Sequence, residues 1–200
     1  MAKPRLVDPV GYYHLNSTGN FGRTLYEEEV HRQVFLRLYE RIALKLGWKT
    51  LAYCLMTNHY HVVLRLTDGG LSKGMQLLNG GFSRRMNAIY GRTGKGHLFK
   101  NRFHGDPIED DAHLLETCRY VPLNPVRAGL CELPEDWPWS SFGPCIGRGY
   151  VPRFLAVDEL LALFDPRPDV ARKAYKAFVH DGRVRWSDQR KGFVRDAAAA

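Results

Sequence analysis

Residues 57–65 read T-N-H-Y-H-V-V-L-R, a stretch in which histidine alternates with apolar side chains. At a strand's period of two, His59, His61, Val63 and Arg65 share one face, and Tyr60, Val62, Leu64 and Leu66 share the other, which is composed for a core. The two imidazoles then leave the sheet in the same direction from roots about 7 Å apart, an arrangement that can converge on one divalent ion. Two ligands do not close a site. An H-x-H pair on a strand is more often two ordinary histidines, and it carries weight only with companions elsewhere in the chain.

Working outward, K-T-L-A-Y-C-L-M (49–56) predicts a strand before the histidine strand, joined to it through Thr57-Asn58 as an antiparallel hairpin. G-Y-Y-H-L-N-S-T (11–18) predicts a first strand, closed by a Gly-Asn-Phe-Gly turn. Thr24 and Glu27 have the spacing of a capping box, and Val30, Val34, Leu38 and Ile42 recur as the apolar stripe of a long helix that Gly47 stops. Downstream, Ser72 is placed to cap a second helix with Met75, Leu78, Phe82, Met86 and Ile89 on its apolar side and Lys73, Gln76, Arg84 and Arg85 on its polar side. Gly80 and Gly81 weaken that helix by about 1 kcal/mol each relative to alanine, which a close backbone approach or a kink would explain.

Residues 91–105 (G-R-T-G-K-G-H-L-F-K-N-R-F-H-G) interleave basic and aromatic side chains. Unpaired bases can lie on such rings while Lys and Arg follow the phosphates. The same segment also reads as a loop entering a short strand at 105–109, with Phe99 and Phe103 packed. Asp110-Asp111 opens a third helix whose stripe is Leu114, Cys118 and Val121; at roughly 100° per residue Tyr120 points about 140° away from it. Pro122 and Pro125 place Asn124 at the frayed end of this helix. Residues 134–142 form an aromatic loop across the surface, 157–164 and 168–180 short helices, and 182–200 a polar tail with excess Arg and Lys.

The chain has 200 residues, 44% of them hydrophobic, enough for one buried core plus an appendage. A net charge of +8 favours a polyanionic partner, nucleic acid before others. No run approaches 18 apolar residues and the start lacks a secretory leader, so the expected location is the cytoplasm, away from membranes. The four cysteines form no C-x-x-C pair and are expected as reduced thiols.

His59, His61, Tyr120 and Asn124 are the residues that these readings assemble into one site. Two imidazoles and an amide oxygen would give a metal ion three ligands and leave positions for a phosphate, while Tyr120 supplies the attacking oxygen. Attack by a side chain, rather than water, keeps the phosphodiester energy in a protein linkage, so the step can be reversed onto another strand end.

At this point the sequence resembles the single-tyrosine HUH transposases, and within them the REP-associated tyrosine transposases. The matching segments are G-Y-Y-H-L-N-S-T-G-N, L-M-T-N-H-Y-H-V-V-L, L-S-K-G-M-Q-L-L-N-G, G-H-L-F-K-N-R-F, I-E-D-D-A-H-L-L-E-T-C-R-Y-V-P-L-N-P-V-R-A-G-L and P-E-D-W-P-W-S-S-F, colinear over about residues 11–142. The resemblance implies an α+β, ferredoxin-like HUH domain over 1–150 with a central antiparallel sheet packed by helices, a helical extension over 151–182 and a basic tail over 183–200. It gives His59 and His61 the role of Mg²⁺ or Mn²⁺ ligands with Asn124 as the third, and Tyr120 that of the nucleophile forming a 5′-phosphotyrosine link. Thr57 departs from the proline common before the histidine motif, and Pro122 falls inside the nucleophile helix. The implied substrate is single-stranded DNA beside imperfect, REP-like hairpins, with Lys73, Arg84, Arg85, Lys100, Arg102, Phe103 and Arg127 as candidate DNA contacts. A monomer acting in cis is implied, the helix-exchanged dimer of the wider family being the alternative. A non-catalytic hairpin-binding protein and a replication-type nicking enzyme are the competing readings.

Overall fold

The computed structural model describes residues 10–91 and 96–198, with side chains to residue 183. Its elements run β1 (Gly11–Thr18), α1 (Glu29–Lys45), β2 (Lys49–Leu55), β3 (His59–Leu66), α2 (Leu71–Ile89), β4 (His104–Ile108), α3 (Asp111–Arg127), α4 (Phe142–Cys145), α5 (Val157–Leu161) and α6 (Pro168–Ala198). The strands form one antiparallel sheet in the order β2-β3-β1-β4, so the first six elements make the βαββαβ ferredoxin-like arrangement. The fold is the α+β class expected, and the histidine strand lies inside the sheet.

That interior position explains why β3 is buried on both faces. Tyr60, Val62, Leu64 and Leu66 pack under α1 and α2, where the Tyr60 ring lies 4.7 Å from Phe35 and its hydroxyl donates to Asn79 at 2.6 Å. The opposite face carries His59, His61 and Val63 and lies under α3, which packs across β2 and β3 and against α6. The predicted hairpin is present, Met56 N donating to His59 O at 2.9 Å across Thr57-Asn58. β2 would be a bare edge, but the segment predicted as an aromatic loop covers it: Leu55 N donates to Trp139 O and Ser141 N to Tyr53 O. The other edge, β4, contains Pro107, which cannot donate to a further strand.

Several local expectations are corrected. The cap of α1 is Glu28, reciprocated by His31, rather than Thr24 with Glu27. Its buried face is His31, Arg32, Phe35, Tyr39 and Ile42; Val30 is exposed, and Val34 and Leu38 lie at the margin. Arg32 occupies a core position because its guanidinium lies over Tyr26, Trp137 and Trp139 at 5.3–5.7 Å. In α2 the cap is Gly70, with φ +80°, rather than Ser72, and Ile89 is exposed. The helix runs unbroken through Gly80 and Gly81, and Gly81 meets α1, where an added Cβ would lie 3.1 Å from Leu38. The closest approach is at Gly74, whose Cβ would lie 2.3 Å from the Trp48 indole. The helix expected over 168–180 and the tail after it are one continuous helix, α6, to Ala198. Residues 92–95 of the basic, aromatic stretch and Ala199-Ala200 lie outside the described residues. All four cysteines are free thiols, and no helix among the described residues is long and apolar enough to cross a membrane.

Candidate functional site

α3 is where the sequence reading met its two prolines, and its course decides the site. Asp110 caps it, accepting from His113 N at 2.7 Å, and it continues helically through Pro122 and Pro125 to Arg127. Each proline lacks the N–H that would bond the carbonyl four residues back. Cys118 O, orphaned by Pro122, accepts instead from the Tyr175 hydroxyl of α6 at 3.2 Å. Val121 O, orphaned by Pro125, accepts from Asn124 Nδ2 at 3.2 Å, and the same amide donates to Tyr120 O at 2.9 Å. Asn124 therefore stands inside the helix, 9% exposed, and not at a frayed end. Its nitrogen is spent on the backbone, which leaves Oδ1 as the atom with ligand chemistry to offer.

Tyr120 lies on the side of α3 turned to the histidines. Its ring meets His61 edge-on at 5.5 Å and His14 at 6.1 Å between centroids, and it remains 37% exposed. The Arg127 guanidinium lies 5.1 Å from the same ring, with its Nε buried and unpartnered, and burial lowers its pKa. Arg127, a candidate DNA contact from the sequence, lies half-buried beside the phenol.

The histidine pair itself is held from behind. His59 Nδ1 meets Asn58 Oδ1 at 2.8 Å, and since that oxygen only accepts, the His59 proton sits on Nδ1 and Nε2 keeps its lone pair. His61 is 7% exposed, bonded through Nδ1 to His14 Nε2 at 2.9 Å, and its Nε2 is buried without a partner. Burial, reinforced by His14 and His59, pushes the His61 pKa down to about 3, and burial lowers His59 and His14 as well, so the imidazoles are neutral at neutral pH. His14 was not singled out from sequence. It stacks on His61 at 5.1 Å, and the signal available was its place in β1, whose partner in register is Val63, on the face of β3 that carries His61.

Whether these residues fit a divalent ion rests on that orphaned Nε2, a buried ring nitrogen that a metal would satisfy when the His61 proton sits on Nδ1. No group of three or more His, Cys, Asp or Glu side chains among the described residues is placed to hold an ion. A centre here would therefore take two imidazoles and complete its shell with oxygen from an amide, phosphate or water. Arg65, on the same strand face, is committed elsewhere: it and the Tyr12 hydroxyl bond Glu159, pinning α5 to the sheet.

On the side of the sheet where Tyr60 packs, the polar side of α2 and residues 96–103 enclose a groove of about 880 Å³. Lys73, Gln76, Arg84, Lys100 and Arg102 line it, whereas Arg85 lies outside its lining. Phe103 forms part of its wall but is only 8% exposed, and Phe99 is buried too, so these rings are packed rather than free for bases.

A family model described as "Transposase IS200 like" matches residues 10–124, a span holding all four strands and α3 as far as Asn124. A Haemophilus influenzae protein described as a REP-associated tyrosine transposase is 26% identical over 117 residues, 54% of this chain; the chain spans 66% of that protein's length. A solved structure of a REP-associated tyrosine transposase bound to a REP hairpin superimposes with a TM-score of 0.63 at 19% identity, covering 76% of this chain and 89% of its own.

Proposed function

The chain belongs to the IS200-like transposases, and from that membership we propose that it cleaves and rejoins single-stranded DNA beside REP-type hairpins through a covalent 5′-phosphotyrosine link on Tyr120. The observation that carries this reading is the exposed phenol 5.5 Å, ring to ring, from a buried neutral histidine of the same chain. In the forward step the phenol gives up its proton and its oxygen bonds the scissile phosphorus. The bond to the 3′ oxygen breaks, and that oxygen leaves as a 3′-hydroxyl after taking a proton from solvent. Attack by another 3′-hydroxyl returns the phosphoryl group to DNA and the proton to Tyr120.

Arg127 lies where a fixed positive charge can meet the phosphate that Tyr120 attacks. His59 and His61 through Nε2, with Asn124 through Oδ1, are the residues that would hold Mg²⁺ or Mn²⁺, imidazole ligands favouring Mn²⁺. Such an ion, when bound, polarises phosphoryl oxygens. That Tyr120 and the imidazoles face one another within one chain supports a reaction in cis, by a monomer. The groove lined by Lys73, Arg84, Lys100 and Arg102 carries the DNA backbone toward the site, and the hairpin is taken as REP-like because the hairpin-bound transposase shares this fold.

The test is incubation with hairpin-bearing oligonucleotides and Mn²⁺ followed by a denaturing gel. A protein–DNA adduct that is absent in Tyr120→Phe supports the reading. Hairpin binding without any adduct in the wild type would leave a binding module instead.

A further inference from the structure

The turn between β1 and α1 contains a side chain that the fold does not use. Phe21 is 97% exposed, and it is the sole non-glycine residue with positive φ (+51°) among the described residues. Holding an aromatic L-residue there strains the backbone, and leaving its ring in water forgoes the burial that other Phe residues of the chain obtain.

The surroundings hold this conformation in place. Gly19 N donates to Asn58 O at 2.7 Å, Asn20 N to Leu98 O at 2.8 Å, and Arg23 N to Asn20 O at 3.0 Å. An added Cβ at Gly19 would lie 2.1 Å from Arg23 O, so the closed turn admits only glycine there. The strained position is thus fixed by the histidine hairpin on one side and by the 98–100 segment on the other.

That fixation joins the turn to the site. Thr18, the last residue of β1, pairs in register with His59, and its carbonyl accepts from Lys100 N at 2.9 Å. The Asn58 side chain donates to Gly22 O at 3.4 Å and accepts from His59 Nδ1 at 2.8 Å, so one amide links the residue after Phe21 to the residue expected to bind metal. The two segments that meet here, G-N-F-G-R (19–23) and L-F-K-N-R (98–102), contain three cations and no carboxylate. Lys100 and Arg102 also line the groove, which continues the basic surface from α2 to this turn.

We propose that Phe21 is a stacking platform for an unpaired DNA base next to the scissile phosphate, with Arg23 and Lys100 meeting the flanking phosphates. A ring offered on a rigid turn, amid cations and beside a phosphate-transfer site, suits a base face better than a protein surface. This role rests on the DNA-cleaving reading and adds a binding residue to it. Stacking on Phe21 also bears on His59, because a base seated there braces the turn that Asn58 ties to the imidazole.

The experiment measures binding of full-length wild type, Phe21→Gly and Phe21→Trp to a fluorescein-labelled G·C hairpin carrying a short unpaired flank, with abasic sites placed one at a time along the flank. Phe21→Gly relieves the positive φ, so its melting temperature should equal or exceed that of the wild type, keeping loss of binding separate from loss of fold. The expected result is roughly tenfold weaker binding for Phe21→Gly and wild-type affinity for Phe21→Trp. One abasic position should weaken the wild type by the same factor and leave Phe21→Gly unaffected. Phe21→Gly binding within twofold of wild type, or an equal loss at every abasic position, overturns the proposal while the transposase reading stands. Failure of the wild type to bind the probe overturns both.

Discussion

A 2.9 Å hydrogen bond between His14 Nε2 and His61 Nδ1 leaves His61 two ways to place its proton, and only one bares Nε2. With His14 neutral and accepting, His61 carries Nδ1–H and presents Nε2, the buried atom without a partner. His14→Phe keeps a stacking ring but removes the acceptor, and supporting partners of this kind are worth about 10–100-fold in metal affinity. Mn²⁺ binding followed by electron paramagnetic resonance should therefore weaken by that order in His14→Phe and recover in His14→Gln, whose amide oxygen can accept. Equal affinity in all three proteins would mean that the contact is only packing. The sequence showed His59, His61 and Tyr120 because each belongs to a local pattern. His14 acts through a neighbouring strand, and no local period marks it.

At the scale of elements, α3 survives two prolines because other groups take over the orphaned carbonyls. Asn124→Ala leaves Val121 O buried and unbonded, a cost of about 1–3 kcal/mol. Pro125→Ala restores an N–H four residues after Val121, so denaturant unfolding of the Asn124→Ala, Pro125→Ala double variant should recover much of that loss; a double variant no more stable than Asn124→Ala would refute the capping role. The proline rule placed Asn124 at a fraying end, and it failed because the compensating donors, Tyr175 from α6 and Asn124 itself, are invisible to a local rule. α5 gives a second prediction. Hydrogen bonding to Arg65 holds the Glu159 carboxyl below its ordinary 4.5, so the unfolded chain takes up the proton first as pH falls. The stabilisation is present above about pH 4.5 and is lost below it as the folded carboxyl titrates. Thermal melts of Glu159→Gln should show a shallower loss of stability below that pH than the wild type, and parallel curves would show that the ion pair contributes nothing.

For the whole molecule, the hairpin and the three main helices followed from periodicity and turn residues, whereas the ferredoxin-like arrangement of the sheet was implied by the family resemblance alone. The phase of α1 did not. Its buried face includes His31 and Arg32, which a count of apolar positions assigns to solvent; Arg32 is accommodated by the rings of Tyr26, Trp137 and Trp139, more than a hundred residues apart in the chain at their extremes. The site was legible as residue types, whereas the way α3 lays Tyr120 over the sheet depends on tertiary packing that no window contains. The central claim, that a phenol of α3 and the imidazoles of β3 act on one phosphate, is met most directly by mapping the protein–DNA adduct. After reaction with a hairpin oligonucleotide, nuclease trimming and proteolysis, mass spectrometry should find a nucleotide joined through its 5′-phosphate to the peptide bearing Tyr120, in wild type and not in Tyr120→Phe. A nucleotide on any other residue, or strand cleavage that continues undiminished in Tyr120→Phe, would contradict it.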